Sequence, residues 1–272
     1  MIFMSIRPEL ELKDGNKIPV IGLGTWQLTG KKCMDIVEKA LELGYRHIDT
    51  AEAYKNQSEI GKAIKHFHRS EIFLTSKVWV NHLHYDDVIE ACNKTLKELS
   101  TNYLDLYLIH WPNMEVPFEE TFKALEELVA DGKAKSVGVS NFTINHLKDA
   151  LKVAKNLITV DQVEFHPYLY QKGLLEFCNK NGLVLTAYAP LGRGSVLQDE
   201  TVRKIADKYN KTSAQVCLRW CLQKGAVVIP KSGSEKHLKE NLDIFDWDIS
   251  KEDMKRIDSL DKGESVINPI IW

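Results

Sequence analysis

Two rhythms of apolar residues alternate along the chain. One is a short β-type run between loops. The other spaces apolar side chains three and four positions apart, which gathers them on one face of a helix. The β-type runs fall at residues 20–23, 46–49, 72–75, 104–109, 136–139, 159–163, 183–186 and 227–229. Helical spacing covers 34–43, stopped by Gly44, and then 85–99, 117–129, 144–155 and 212–223. Strands that alternate with helices imply parallel strands joined by crossovers. Residues 10–13 and 17–20 flank Asp14-Gly15-Asn16, a pattern that predicts an amino-terminal β-hairpin. The stretch 250–260 predicts an extra C-terminal helix, and 268–272 an irregular end.

Eight strand–helix units without a Gly/Ser/Pro-rich linker predict an α/β chain that forms a single (β/α)8 TIM barrel over residues 1–272. A doubly wound open sheet is the structural alternative, and G-x-G-x-x-G normally follows its first strand. Here the first run continues Gly22-Leu23-Gly24-Thr25-Trp26-Gln27, with no glycine in the last slot, which favours the barrel.

Composition narrows the function more than the fold. A net charge of -2 gives no electrostatic footprint for nucleic acid or an anionic membrane. No apolar run is long enough to span a bilayer. The opening M-I-F-M-S-I-R-P lacks the parts of a secretory leader, and five cysteines at irregular spacing suit free thiols, so a cytoplasmic protein is expected.

In a parallel barrel the active site gathers at the carboxyl ends of the strands. The residues there are Asp49 and Tyr54 after the second run, Lys77 after the third and His110 after the fourth. Ser140 and Asn141, Gln162 and Glu164, and Tyr188 follow on the next three. Taken alone, each is commonly a cap or a packing residue. Together they describe an acid. Lys77 can lower the pKa of Tyr54 from its usual value near 10. Asp49 can keep Lys77 charged, and His110 can donate to a carbonyl oxygen as negative charge develops. No activated nucleophile or metal cluster accompanies them.

These residues sit in motifs that resemble the aldo-keto reductase family. The motifs are G-L-G-T-W at 22–26, H-I-D-T-A-x-x-Y at 47–54, T-S-K-V-W at 75–79 and Y-L-I-H-W-P at 107–112. They continue with G-V-S-N-F at 138–142, Q-V-E-F-H-P at 162–167, Y-A-P-L-G-R-G at 188–194 and I-P-K-S at 229–232. The resemblance implies reduction of aldehydes and ketones by an oxidoreductase that uses a nicotinamide cofactor, with Asp49, Tyr54, Lys77 and His110 as catalytic tetrad and Tyr54 as proton donor. It implies that Ser140, Asn141 and Gln162 hold the carboxamide and that Tyr188 stacks on the nicotinamide. It further implies that Ala189, Pro190, Leu191 and Gly192 run along the pyrophosphate. Pro230, Lys231, Ser232, Gly233, Ser234, His237, Glu240 and Asn241 match the adenosine side. Gly24, Thr25, Trp26, Ala214 and Ile229 complete the implied cofactor set, to which Asp49 also belongs. Trp26, Tyr54, Trp79, His110 and Trp111 are similar to the substrate pocket. The chain departs from the family's NADPH-preferring pattern at His237, where an arginine is usual. NADP(H) is therefore the expected cofactor, with NAD(H) accepted as well, and a monomer is the expected state.

Two alternatives keep the barrel. One is a ligand-sensing subunit with little turnover. The other is an isomerase or aldolase that uses Lys77 as a Schiff base. His66 and His68, and His82 and His84, read as solvated positions rather than metal ligands. Cys217 and Cys221 read as buried small hydrophobes, and Leu104, Leu106 and Leu108 as barrel packing.

Overall fold

The computed structural model describes residues 8–154 and 156–267. It opens with β1 (Glu9–Glu11) and β2 (Lys17–Pro19), paired as the antiparallel hairpin expected from the sequence. Gly15 turns it with a φ of 87°, a conformation that glycine adopts without steric cost. The first half of the barrel comprises β3 (Leu23–Gly24), α1 (Gly30–Glu42), β4 (His47–Asp49), α2 (Gln57–Ile64), β5 (Phe73–Val78), α3 (Tyr85–Glu98), β6 (Leu104–Ile109) and α4 (Phe118–Ala130). The second half begins with β7 (Ala134–Ser140), α5 (Ile144–Val153), β8 (Ile158–Glu164), α6 (Lys172–Lys180) and β9 (Val184–Tyr188). It continues with α7 (Glu200–Tyr209), α8 (Ser213–Gln223), β10 (Val227–Val228), α9 (Glu235–Leu242) and α10 (Lys251–Asp258).

Strands β3 to β10 form an 8-stranded sheet in chain order, every neighbouring pair parallel. Parallel bridges from Ile21 to Val228 and from Gly24 to Lys231 join the first strand to the last. The sheet therefore curls round on itself, and the (β/α)8 barrel read from the sequence is the fold.

Successive residues of a strand point to opposite faces. Phe73, Leu106, Leu108, Val160 and Val227 thus point inward and form an apolar plug, with Leu12 and Ile18 of the hairpin packed against them. Their sequence neighbours Leu74, Tyr107 and Ile109 point outward under the helices, where Leu104 also packs. Cys217 and Cys221 are fully buried in that outer layer, as expected.

Four helices were not apparent in the sequence: α2, α6, α7 and α9. Each is 10 residues or shorter and buries only a few apolar side chains, for example Val202, Ile205 and Ala206 in α7. The first β-type run also shifts, because regular pairing starts only at Leu23. The irregular end at 268–272 and the helical end at Lys155 lie outside the described residues.

Candidate active site

Period-two alternation carries the polar residues to the mouth of the barrel. Asp49 ends β4, Lys77 lies near the end of β5, Ser140 ends β7 and Tyr188 ends β9, while Gln162 lies two residues before the end of β8. His110 directly follows β6, its N–H bonded to the Val78 carbonyl at 3.0 Å.

At the centre, Lys77 Nζ donates to Asp49 Oδ1 at 2.6 Å and to the Thr50 carbonyl at 2.9 Å. Both side chains of this ion pair are almost wholly enclosed, at 1% and 2% exposure. Gln162 Nε2 donates to the other oxygen, Asp49 Oδ2, at 2.7 Å. A buried ion pair needs further hydrogen bonds to offset its desolvation, and here the Thr50 carbonyl and the Gln162 amide supply them. Burial lowers the Lys77 pKa, against the opposing pull of Asp49.

Around this pair the backbone is pinned by Asn56, whose Nδ2 donates to the carbonyls of Thr25 and Leu28, each at 2.9 Å. Its Oδ1 accepts from Thr50 Oγ1 at 2.7 Å. Asn141 adopts a φ of 64°, tolerated better by asparagine than by most residues. It donates to the His110 carbonyl at 2.9 Å and accepts from the Tyr188 hydroxyl at 2.7 Å. Ser140 Oγ donates to the Gln162 carbonyl at 2.7 Å.

A cavity of about 470 Å³ opens above this network. Of the residues singled out from the sequence, Gly24, Thr25, Trp26, Asp49, Tyr54, Trp79, His110 and Trp111 line it on one side. Ser140, Asn141, Gln162, Tyr188, Ala189, Pro190, Leu191, Ile229, Pro230 and Lys231 line the other. Lys77 is buried and does not line the cavity, so the amine named by the Schiff-base alternative is not open to it. Gly192, Ala214, Ser232, Gly233, Ser234, His237, Glu240 and Asn241 lie outside the cavity wall. Ser234 Oγ caps α9 by accepting from the His237 N–H at 3.3 Å. Glu240 accepts from Thr212 Oγ1 at 2.6 Å, which ties α9 to the start of α8.

The rings of Tyr54 and His110 meet edge to face at 5.6 Å, and Trp79 meets His110 at 5.3 Å. Burial, followed by the field of Lys77, holds the His110 imidazole well below its usual range, so it is neutral. Tyr54 corrects the expectation drawn from its neighbour. Burial pushes its phenol well above 10, and the charge on Asp49 adds to the effect. Lys77 sits 5.1 Å from the Tyr54 ring centroid, but its charge is matched by Asp49 and does not bring the phenol down. The Tyr54 phenol is consequently protonated throughout the physiological range.

Several cavity residues escaped the sequence reading. Arg193 lies in a loop with a φ of 51° and stacks its guanidinium 4.5 Å from the Trp26 ring centroid. Its place between Gly192 and Gly194 was the available signal. Ile267 reaches the wall from the C-terminal segment. Glu164 secures that segment by accepting from Ser265 Oγ at 2.5 Å and from the Val266 N–H at 2.7 Å. No local pattern could have announced a contact about a hundred positions away. His82 and His84 pair with separate carboxylates, Glu52 at 2.9 Å and Glu120 at 3.1 Å.

A model of the aldo/keto reductase family matches residues 20–262. The chain is 45% identical over 265 residues to glyoxal reductase of Bacillus subtilis (strain 168), covering 96% of each protein. It is 43% identical over 291 residues to aldose reductase B of Dictyostelium discoideum, covering 94% of this chain and 93% of that one. The structure of the aldose reductase from Schistosoma japonicum superposes with a TM-score of 0.92 at 38% identity, covering 97% of this chain and 95% of that one.

Proposed function

The chain belongs to the aldo/keto reductase family, a family of oxidoreductases, and from that premise we propose that it is an NADPH-preferring reductase of aldehydes and ketones. The observation that carries this reading is the convergence of one protonated phenol, Tyr54, and one neutral imidazole, His110, on a cavity floored by a buried ion pair.

The rim suits an extended dinucleotide. Gly24 lets the first strand close on the last, since a Cβ there would meet the Ile229 carbonyl oxygen at 2.7 Å, and both residues line the cavity. Gln162 uses its Nε2 on Asp49 and keeps its amide oxygen for a ligand. Ser140, Asn141 and Gln162 would hold the carboxamide, and Tyr188 would support the ring. Ala189 to Gly192 would follow the pyrophosphate, and Lys231, Ser232, Ser234 and His237 would take the adenosine side. The bound nicotinamide supplies the hydride.

The protein's own groups do the rest. His110, neutral, can donate one ring N–H to the substrate oxygen as charge accumulates there. Tyr54 delivers its proton to the same oxygen. An alkoxide is about as basic as hydroxide, far more so than a phenolate. A phenol with a raised pKa is therefore still acidic enough to protonate it. Lys77 and Asp49 fix the floor on which Tyr54 rests. Trp26, Trp79 and Trp111 narrow the mouth and help to exclude water.

The test is a panel of aldehydes, α-dicarbonyls, aldoses and diketo acids, assayed by oxidation of NADPH and of NADH. The expected result is turnover of at least one class, faster with NADPH. Cofactor binding with no turnover on any class would favour a ligand-sensing role and contradict this reading.

A further inference from the structure

We propose that Lys32, in the first turn of α1, joins Lys231 to form a two-ammonium cradle for the 2′-phosphate of NADP(H). This rests on the cofactor reading above and extends it to a residue far from the adenosine-side motif.

The two side chains converge on one glycine. A Cβ built on Gly233 would lie 3.4 Å from Lys32 Nζ and 3.8 Å from Lys231 Nζ. Two ammonium groups from distant parts of the chain thus face one small space, and the absence of a side chain at 233 keeps it open. Neither lysine makes an ion pair among the described residues. Their neighbours do: Lys31 pairs with Asp35 at 2.8 Å, Lys239 with Glu235 at 2.7 Å, and Lys39 with Glu42. Carboxylates are therefore plentiful on these helices, yet among the described residues none pairs with Lys32 or Lys231. Like charges held close repel, and an anion between them reverses the sign of that interaction.

The loop that carries Gly233 is held in shape. Ser232 is 3% exposed. Its Oγ donates to the Ser234 carbonyl at 3.0 Å and accepts from the Ser234 N–H at 3.3 Å. Ser234 in turn caps α9. A phosphomonoester carries about -1.5 to -2 charges at neutral pH. Lysines bind such a group as point charges and need no planar geometry. The pair would supply cationic charge on the side of the cofactor where this chain has His237 in place of the usual arginine.

The experiment compares wild type with Lys32→Ala, Lys32→Glu and Lys32→Arg. Affinities for NADP+ and NAD+ are read from quenching of intrinsic tryptophan fluorescence, which Trp26, Trp79 and Trp111 make sensitive to the cavity. Adenosine 2′,5′-bisphosphate and AMP, read by calorimetry, isolate the adenosine side. Lys32→Ala is expected to weaken NADP+ and the bisphosphate by about three- to tenfold, the range for an exposed charge-assisted contact. NAD+ and AMP should be unchanged, Lys32→Glu should lose more, and Lys32→Arg should stay near wild type. Salt should weaken NADP+ binding less in Lys32→Ala than in wild type. Unchanged NADP+ affinity, or equal losses for NADP+ and NAD+, would overturn the cradle. Failure of wild type to bind either dinucleotide would instead bring down the cofactor reading on which the cradle stands.

Discussion

At the amino end of the barrel, β5, β6, β8 and β10 turn Phe73, Leu106, Leu108, Val160 and Val227 into the ring, and Leu12 and Ile18 close it from below. Two or four residues further along, β5 and β8 and the residue after β6 turn in Lys77, Gln162 and His110. The difference lies in how each end satisfies its contents. The lower end is apolar and needs only packing. The upper end encloses an ammonium and a carboxylate, and each is held by more than one hydrogen bond. Strands that are locked below can hold charged groups above in a fixed arrangement, so stability and chemistry are lodged at opposite ends of the same elements. Substitutions at the two ends should then differ in kind.

Lys77→Met should have the largest effect. It removes the partner of a buried carboxylate, which costs about 3–5 kcal/mol of stability when nothing replaces the charge, and it should abolish measurable turnover. Urea denaturation and steady-state assays check both parts, and an active, stable variant would break the comparison at its upper end. Leu106→Ala should cost about 2–5 kcal/mol, the range for truncating a buried leucine. In contrast, kcat/KM should stay near wild type wherever the variant remains folded.

A pH effect sharpens the contrast. Burial holds His47 at about 4 and His110 well below 6.5, so both are neutral in the folded protein. The unfolded chain takes up these protons near pH 6.5 and the folded chain does not. Stability from this source is thus present above about pH 6.5 and falls as pH drops toward 4, by up to about 1.4 kcal/mol per pH unit for each histidine. Urea midpoints measured between pH 7 and pH 4.5 should follow that slope, and a flat profile would show that these histidines are charged inside the fold.

The smallest effect belongs to the flank. His237→Arg should tighten NADP+ binding by about 1–2 kcal/mol through a permanent charge and leave NAD+ unchanged, as read by fluorescence titration. Equal gains for both cofactors would remove His237 from the 2′ position.

The alternation of runs made the barrel legible, because each strand and each long helix carries its own period. The positions at the strand ends were legible for the same reason. Once β5 is recognised, Lys77 must face the way Thr75 and Phe73 face. What stayed hidden depends on contacts between distant segments. Asn56 holds the backbone at Thr25 and Leu28, Glu164 holds Ser265 and Val266, and Lys32 and Lys231 both face Gly233. The raised pKa of Tyr54 reflects burial and the charge on Asp49, which the spacing of Tyr54 and Lys77 along the chain does not show. The helices α2 and α9 are 8 residues each, about two turns, so a helical spacing hardly repeats within them.

The central claim is that Tyr54 is the proton donor on a preformed floor, and Tyr54→Phe tests it most directly because the ring stays and only the hydroxyl goes. Measured together, kcat/KM for a reactive aldehyde should fall by at least about 100-fold, as expected for lost general-acid catalysis, while the Kd for NADP+ should remain that of wild type. A folded variant that binds NADP+ normally and keeps near wild-type kcat/KM would contradict the account.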